Sequence, residues 1–386
     1  MSLIRPSSAH ELAATLVDCA SQRKTITLIG NNSKGLMSGP MLESDVIIST
    51  SGLNQLLQYE PRDLTVSVES GMRFSELQTL LSKNGQTIAL DPPFWNGATI
   101  GGVIASNCSG PMRYGFGTAR DMVIGMSFAM LDGAIAKTGG MVVKNVAGLD
   151  IGKLMIGSFG TLAAMTSVNL RVHSLPRETR TFVFGSTDLE TALDTRTRIL
   201  RSAVQPIAID LLSPAAAARL GRRGYILAAR AMGSPATLDR YQRGYESAEQ
   251  LNGDAEASLW QRVREFCADF LVRQRDGVVV RISSTLSNLY PLLRSLSSPV
   301  ITRAGSGVAY VCLTSVQSLA QVWATAVDNG CHPVVEFAPE TVRRANELWP
   351  APTSTARSSG FDIMKRVKQM FDPHTLLNRS RVHGRI

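Results

Sequence analysis

Apolar and polar positions alternate in short blocks from the start of the chain. Ser8 and Glu11 have the spacing of a capping box, and Leu12, Leu16 and Cys19 share one face of the helix predicted after it. Ile26–Gly30 reads as a strand, Gly30–Gly39 as a Gly/Asn/Ser loop and Val46–Thr50 as a second strand. Leu64–Glu69 alternates as a half-buried strand does. Phe74–Lys83 gathers Leu77, Leu80 and Leu81 on a helix that Gly85 stops. A long tract without regular periodicity, Asp91–Gly117, follows and predicts a loop. Strands are expected again at Met122–Leu131 and Ser167–His173.

The rhythm then changes. Strands are predicted at Thr181–Gly185, Ile207–Leu212, Tyr225–Ala231, Val278–Ile282, Val308–Leu313 and Val334–Phe337. Helices are predicted at Leu189–Leu200, Leu238–Leu251, Ser258–Val272, Leu289–Leu296 and Val316–Asp328. Strands with interspersed helices and few special glycines predict an α+β unit. Trp349–Gly360 is rich in Pro, Ser, Thr and Ala and reads as a linker. A helix at Phe361–Phe371 and a basic tail complete the pattern. No internal repeat is visible.

Composition narrows the class. With 386 residues the chain has room for two or three domains and a large core. Apolar residues make up 44% and mean hydropathy is +0.04, which excludes bulk disorder. The net charge of +9 rests mainly on Arg, since only 8 of the 40 basic residues are Lys. No nucleic-acid-binding signature accompanies it, so it reads as solvated Arg-rich surface, and nucleic acid is not an expected partner. Cys19, Cys108, Cys267, Cys312 and Cys331 form no CxxC pair, which argues against zinc or iron–sulfur sites and for reduced thiols in a cytosol-like compartment. MSLIRPSSAHEL has no apolar core of a secretory signal, and no stretch reads as a membrane span.

Three glycine-rich tracts carry the candidate chemistry. GNNSKG (Gly30–Gly35) follows a strand, and its backbone N–H groups are suited to a phosphate, although it is neither a Walker A loop nor GxGxxG. Within DPPFWNGATIGGVIASNCSGPMRYGFGTARD, Gly101 and Gly102 would let a flat ligand approach backbone without a Cβ in the way. The third tract, GGMVVKNVAGLDIGKLMIGSFGTLAAMTSVNLRV, contains Lys144, Asn145 and a second tight loop at Gly157–Thr161.

The combination of GNNSKG, ATIGGVIASNCSGPMRYGFGTARD, KNVAGLD and GSFGTL resembles the FAD-binding domain of the vanillyl-alcohol oxidase/cresol methylhydroxylase superfamily. Within it the chain is most similar to the FAD-binding E subunits of bacterial glycolate oxidase (glycolate dehydrogenase), and FDPHTLLNRSRV is similar to their C-terminal FDP…NPGR element. The resemblance implies an α+β fold: an FAD-binding domain at residues 1–177, an α+β cap at 178–348, and a linker, helix and tail at 349–386 returning to the FAD domain. It implies that Gly30, Asn31, Asn32, Ser33 and Lys34 hold the FAD pyrophosphate. Pro92, Thr99, Gly101, Gly102, Ser106 and Gly110 would lie beside the ribityl chain and isoalloxazine, Gly157, Gly160 and Thr161 would form the second wall, and Asn378 would return from the tail.

The chain departs from the family pattern at Leu149, where Tyr is usual, at Arg379-Ser380, where Pro-Gly is usual, and in the modest glycine content of GNNSKG. No His stands at a flavin-attachment position, so noncovalent FAD is expected. Of the five histidines only His332 falls in the cap, so no metal site is expected. Arg230, Arg281 and Arg303 are candidate carboxylate ligands, and Tyr225 and Tyr310 are unsupported candidate bases; no catalytic residue is assigned. Arg366, Lys368, Arg379, Arg381 and Arg385 would serve FAD phosphates, an acidic partner or a solvated terminus, and Arg120 and Asp121 would be structural. The implied activity is oxidation of glycolate to glyoxylate in a cytoplasmic complex with a second flavin subunit and an iron–sulfur subunit, at most peripherally membrane-associated. The alternatives are a stand-alone FAD-dependent 2-hydroxy-acid or alcohol dehydrogenase and an assembly-only subunit without flavin.

Overall fold

A computed structural model describes residues 2–142, 150–203, 205–350, 360–382 and 384–386. The KNVAG tract, including Lys144, Asn145 and Leu149, and most of the expected linker lie outside the described residues. The chain divides into two compact units: Met1–Ser109, Thr118–Leu175 and Arg343–Ile386 form the first, and Gly110–Gly117 with Pro176–Val342 form the second.

In the first unit Ser8 caps the helix Ala9–Ser21 by accepting from the Glu11 N–H, and Leu12, Leu16 and Cys19 are buried along it. A three-stranded parallel sheet places Val46–Ser49 between Ser2–Ile4 and Ile26–Ile29. Leu12, Leu16, Ile26, Ile48 and Leu377 share one buried cluster, so residues from the C-terminal tail complete the core built by the first fifty residues. A five-stranded antiparallel sheet runs in the order Leu56–Glu60, Thr65–Glu69, Ala164–Arg171, Val123–Ala129, Ile135–Gly139. Its first strand was not expected, because Leu56–Glu60 is largely exposed and shows no apolar alternation.

The expectation of a loop throughout Asp91–Gly117 is overturned at Ile100–Ser106, which is a helix capped by Thr99. Gly101 and Gly102 lower its intrinsic propensity. Tertiary packing overrides this: Ile100, Gly101, Val103 and Ile104 are buried, and the Gly101 N–H donates to the Ser70 carbonyl at 2.7 Å.

The second unit is built on one eight-stranded sheet, antiparallel at every pairing. The order is Glu249–Leu251, Glu178–Ser186, Tyr225–Gly233, Ala208–Leu212, Val300–Arg303, Val308–Leu313, Val278–Ser283, His332–Phe337. The single helix expected over Leu238–Leu251 is instead a helix, Pro235–Gly244, and the edge strand Glu249–Leu251. Tyr245 leaves the helix to set its ring edge-on against Phe182 and Phe184, both at 5.5 Å. The long helix Gly253–Arg273 begins five residues earlier than its apolar pattern suggests. Its first turns carry Glu256, whose carboxylate accepts from Thr179, Thr181 and Arg230.

Candidate cofactor site

An open cleft lies wholly in the first unit. One side is the strand Ile26–Ile29 and the loop after it. Asn32 adopts φ +51°, a conformation Asn tolerates, and Asn31 Nδ2 donates to the Gly97 carbonyl at 3.1 Å. A Cβ on Gly30 would stand 2.2 Å from Thr99 Oγ1, so glycine is what lets this loop lie against the helix cap. That cap, Thr99, accepts from the Gly102 N–H at 3.2 Å.

The opposite side is the loop Gly157–Thr161. The Gly157 N–H donates to Ile104 O at 3.1 Å and the Phe159 N–H to Ala105 O at 2.9 Å, tying the loop to the helix Ile100–Ser106. The tail closes the ring. The Ile26 N–H donates to Leu376 O at 2.8 Å, and the Asn378 N–H donates to Ile26 O at 2.9 Å. The Asn378 amide accepts from the Leu28 N–H at 2.7 Å and donates to Leu28 O at 3.0 Å and Phe159 O at 2.6 Å. One side chain thus joins the strand to the second loop. Behind it, Lys368 Nζ is buried and donates to Asp372 at 2.6 Å, Thr161 O at 2.7 Å and Leu377 O at 3.0 Å. Burial pulls the Lys368 ammonium below its ordinary pKa, against the opposing pull of the Asp372 carboxylate.

Of the expected residues, Gly30, Asn31, Asn32, Ser33, Lys34, Thr99, Gly101, Gly102, Gly160 and Asn378 line the cleft. Five do not, and each has another occupation. Pro92 is buried in the stretch that Trp95 anchors on Phe74, with ring centroids 5.0 Å apart. Ser106 turns its hydroxyl back to Gly102 O at 2.6 Å, a bond internal to the helix. Gly110 belongs to the second unit, where its neighbour Gly115 donates to Ile207 O at 3.1 Å. Gly157, at φ +82°, serves the turn, and Thr161 Oγ1 donates to Ser158 O at 2.8 Å. The reason expected for Gly101 also changes: its missing Cβ faces Ser70, at 2.8 Å from that residue's Cβ, so it is a packing glycine. Gly102 is the open one, where a Cβ would meet only Thr99 Oγ1 at 3.0 Å.

Ser70, Ala105, Phe159 and Met165 also line the cleft, the last three from within the glycine-rich tracts though no role was assigned to them there, and Arg379 and Arg381 enter it from the basic tail. The remaining tail cations part company: Arg385 pairs with Glu347 at 2.6 Å, and Arg366 is exposed. Asp121 caps a short helix by accepting from the Thr118 N–H at 2.7 Å, and Arg120 donates to Lys153 O at 3.2 Å, both structural. In the second unit the candidate carboxylate ligands already hold carboxylates. Arg230 pairs with Glu256 and Arg281 with Glu336, both at 3.0 Å, and Arg303 pairs with buried Asp210. Burial, reinforced by Glu336, pushes the Tyr310 hydroxyl up to about 12. Among the described residues no group of three or more His, Cys, Asp and Glu side chains is placed to hold a metal ion.

The donor set of the cleft suits a large, flat, anionic molecule. Lys34, Arg379 and Arg381 line it, no Asp or Glu does among the described residues, and apolar Leu28, Ala105, Phe159 and Met165 complete the wall. FAD meets that description with its diphosphate and its ring system, and the same residues are the ones that would hold it.

Comparison with known proteins agrees. The FAD binding domain model matches residues 2–139, and the C-terminal domain model of the FAD linked oxidases matches residues 353–382. The chain is 26% identical to glycolate oxidase subunit GlcE of Escherichia coli, over 95% of both chains. It is 22% identical to glycolate oxidase subunit GlcD of Bacillus subtilis, over 99% of this chain and 89% of that one. A mitochondrial D-lactate dehydrogenase [cytochrome] of Arabidopsis thaliana is 30% identical, but over 54% of this chain and 37% of its own length. Among solved structures, alkyldihydroxyacetonephosphate synthase superposes with TM-score 0.72 at 16% identity, over 97% of this chain and 75% of that one. The 4-ethylphenol oxidase of Gulosibacter chungangensis superposes with TM-score 0.72 at 14% identity, over 98% and 88%. Residues 2–139 thus carry an FAD binding domain and residues 353–382 a C-terminal element of the FAD linked oxidases, and the chain is an FAD-dependent oxidoreductase that shares its fold with these solved structures.

Proposed function

We propose that this chain is the FAD-binding, electron-transferring subunit of a complex that oxidises glycolate to glyoxylate. The observation that carries the reading is a division of resources. The first unit has a cleft furnished for a flavin dinucleotide, while each candidate arginine of the second unit is already neutralised by a carboxylate. The likeness to a glycolate oxidase subunit along nearly the whole of both chains supports the same assignment. A partner flavin subunit and an iron–sulfur subunit would complete the complex, on the cytoplasmic side of the cell. Among the described residues no helix is long and apolar enough to cross a membrane, so any membrane association would come through the complex.

In this reading Gly30–Lys34 and Asn378 hold the dinucleotide, Thr99 and Gly102 border its ring end, and the apolar wall excludes water. When bound, FAD supplies the two-electron redox chemistry. In this reading abstraction of a proton from the hydroxy acid is assigned to a partner subunit.

A second reading, a stand-alone 2-hydroxy-acid dehydrogenase, is favoured by the D-lactate dehydrogenases among the relatives of the FAD half. One pair of measurements separates the readings. Acid precipitation of the yellow protein should release its flavin, and anaerobic glycolate or D-lactate should leave the flavin of the single chain oxidised while reducing it in the coexpressed complex. Rapid reduction in the single chain would establish the second reading.

A further inference from the structure

The tail does more than close the core. The Arg381 guanidinium lies over the Phe159 ring, 5.8 Å from its centroid, and it donates to Gly39 O and, at 3.4 Å, to Lys34 O. It therefore bridges the two loops that face each other across the cleft. Arg379, half-buried beside it, donates to Glu43 O and also lines the cleft. The Ser38 hydroxyl and the Gly39 N–H donate back to Arg381 O at 2.8 and 3.1 Å, and a Cβ on Gly39 would collide with Ser380 O. The backbone of this segment is tightly wound, with φ +42° at Asn378 and +64° at Ser380. Left-handed serine persists only where its surroundings hold it.

We propose that Asp372–Arg381 is a ligand-linked latch: Arg379 and Arg381 are counterions for the diphosphate of the dinucleotide, and docking of this segment onto Ile26–Ile29 and dinucleotide binding stabilise each other. This rests on the FAD reading of the cleft. Selectivity for FAD over phosphate-free riboflavin then comes from residues nearly 350 positions after the GNNSKG loop, and the latch is firmest when the cofactor is in place. Linkage makes the two effects reciprocal.

The test uses the full chain stripped of flavin. Hydrogen exchange at the amides of Leu376–Arg381 should slow with FAD and with inorganic pyrophosphate, and not with riboflavin. Losing one charge-assisted contact should weaken FAD binding by about 10- to 100-fold in Arg379→Gln, with little change for riboflavin and a shallower dependence of FAD affinity on salt. Arg381→Gln removes a structural bridge as well, so Arg381→Lys serves as the second variant, keeping the charge while losing the fork, with an intermediate loss of affinity expected. FAD binding that leaves tail exchange, salt dependence and the Arg379→Gln affinity unchanged would overturn the latch while preserving the FAD reading. A chain that takes up no flavin would overturn both.

Discussion

Gly102 and His173 each show what a single position controls. Gly102 faces open cleft, so the branched side chain of Gly102→Val would occupy ligand space and press on the Thr99 hydroxyl that caps the helix. Overpacking of this kind costs about 1–3 kcal/mol, so FAD affinity should fall about 10- to 100-fold with the second unit still folded. Flavin-to-protein absorbance ratios measure it, and unchanged occupancy would move the ring elsewhere. His173 pairs across to Thr87 in a two-stranded ribbon. Burial, with Arg171 nearby, pulls its imidazole below the ordinary 6.5. The folded state thus binds fewer protons than the unfolded state below that value, and stability falls as pH drops through 6.5 toward the folded pKa. Between pH 7.5 and 5.5 the melting temperature of His173→Gln should decline less than that of the parent; equal declines would remove His173 from the acid response.

At the level of elements, ties between distant segments matter more than propensity. Asn378→Ala would strip the Leu28 N–H and two carbonyls of their partner, at about 1–3 kcal/mol for a buried donor left unmade. Glu256 is nearly fully buried and binds Arg230, Thr179 and Thr181, while the Trp260 indole caps the same threonine, Thr181, at 2.7 Å. Glu256→Ala should lower the stability of the second unit by about 1–3 kcal/mol, read by urea titration of tryptophan fluorescence, because half-buried Arg230 and the Thr179 and Thr181 hydroxyls would lose their acceptor. A loss below 1 kcal/mol would mean that water replaces the carboxylate. Elements with local signals were legible in the sequence: the Ser8 cap, the apolar face of Ala9–Ser21, the strand before GNNSKG and most strands of the second unit. The helix Ile100–Ser106 was not, since its two glycines speak against a helix and only packing on Ser70 reverses that. Likewise the glycines and asparagines of the cleft could be picked out by type. Arg379 and Arg381 were candidates by charge alone; their place at the cleft, like that of Phe159, comes from contacts that join the two ends of the sequence, which local pattern does not record.

The molecule as a whole has two units, each with sheets and a buried core of its own. Ligand binding stabilises only the structure that contains its site. Calorimetry should therefore resolve two unfolding transitions, with added FAD raising one and leaving the other in place. A single transition that moves as a whole would show that the units unfold together. The pairing of Ile26 with Leu376 and Asn378 has a consequence for biosynthesis. The strand leading to the phosphate loop is translated about 350 residues before its neighbour on that edge. Until then the half-built site must wait with an open edge, exposed to mispairing. Flavin loading is in this sense a readout of synthesis past Asn378: a chain interrupted before that residue would carry both glycine loops and lack the side chain that joins them.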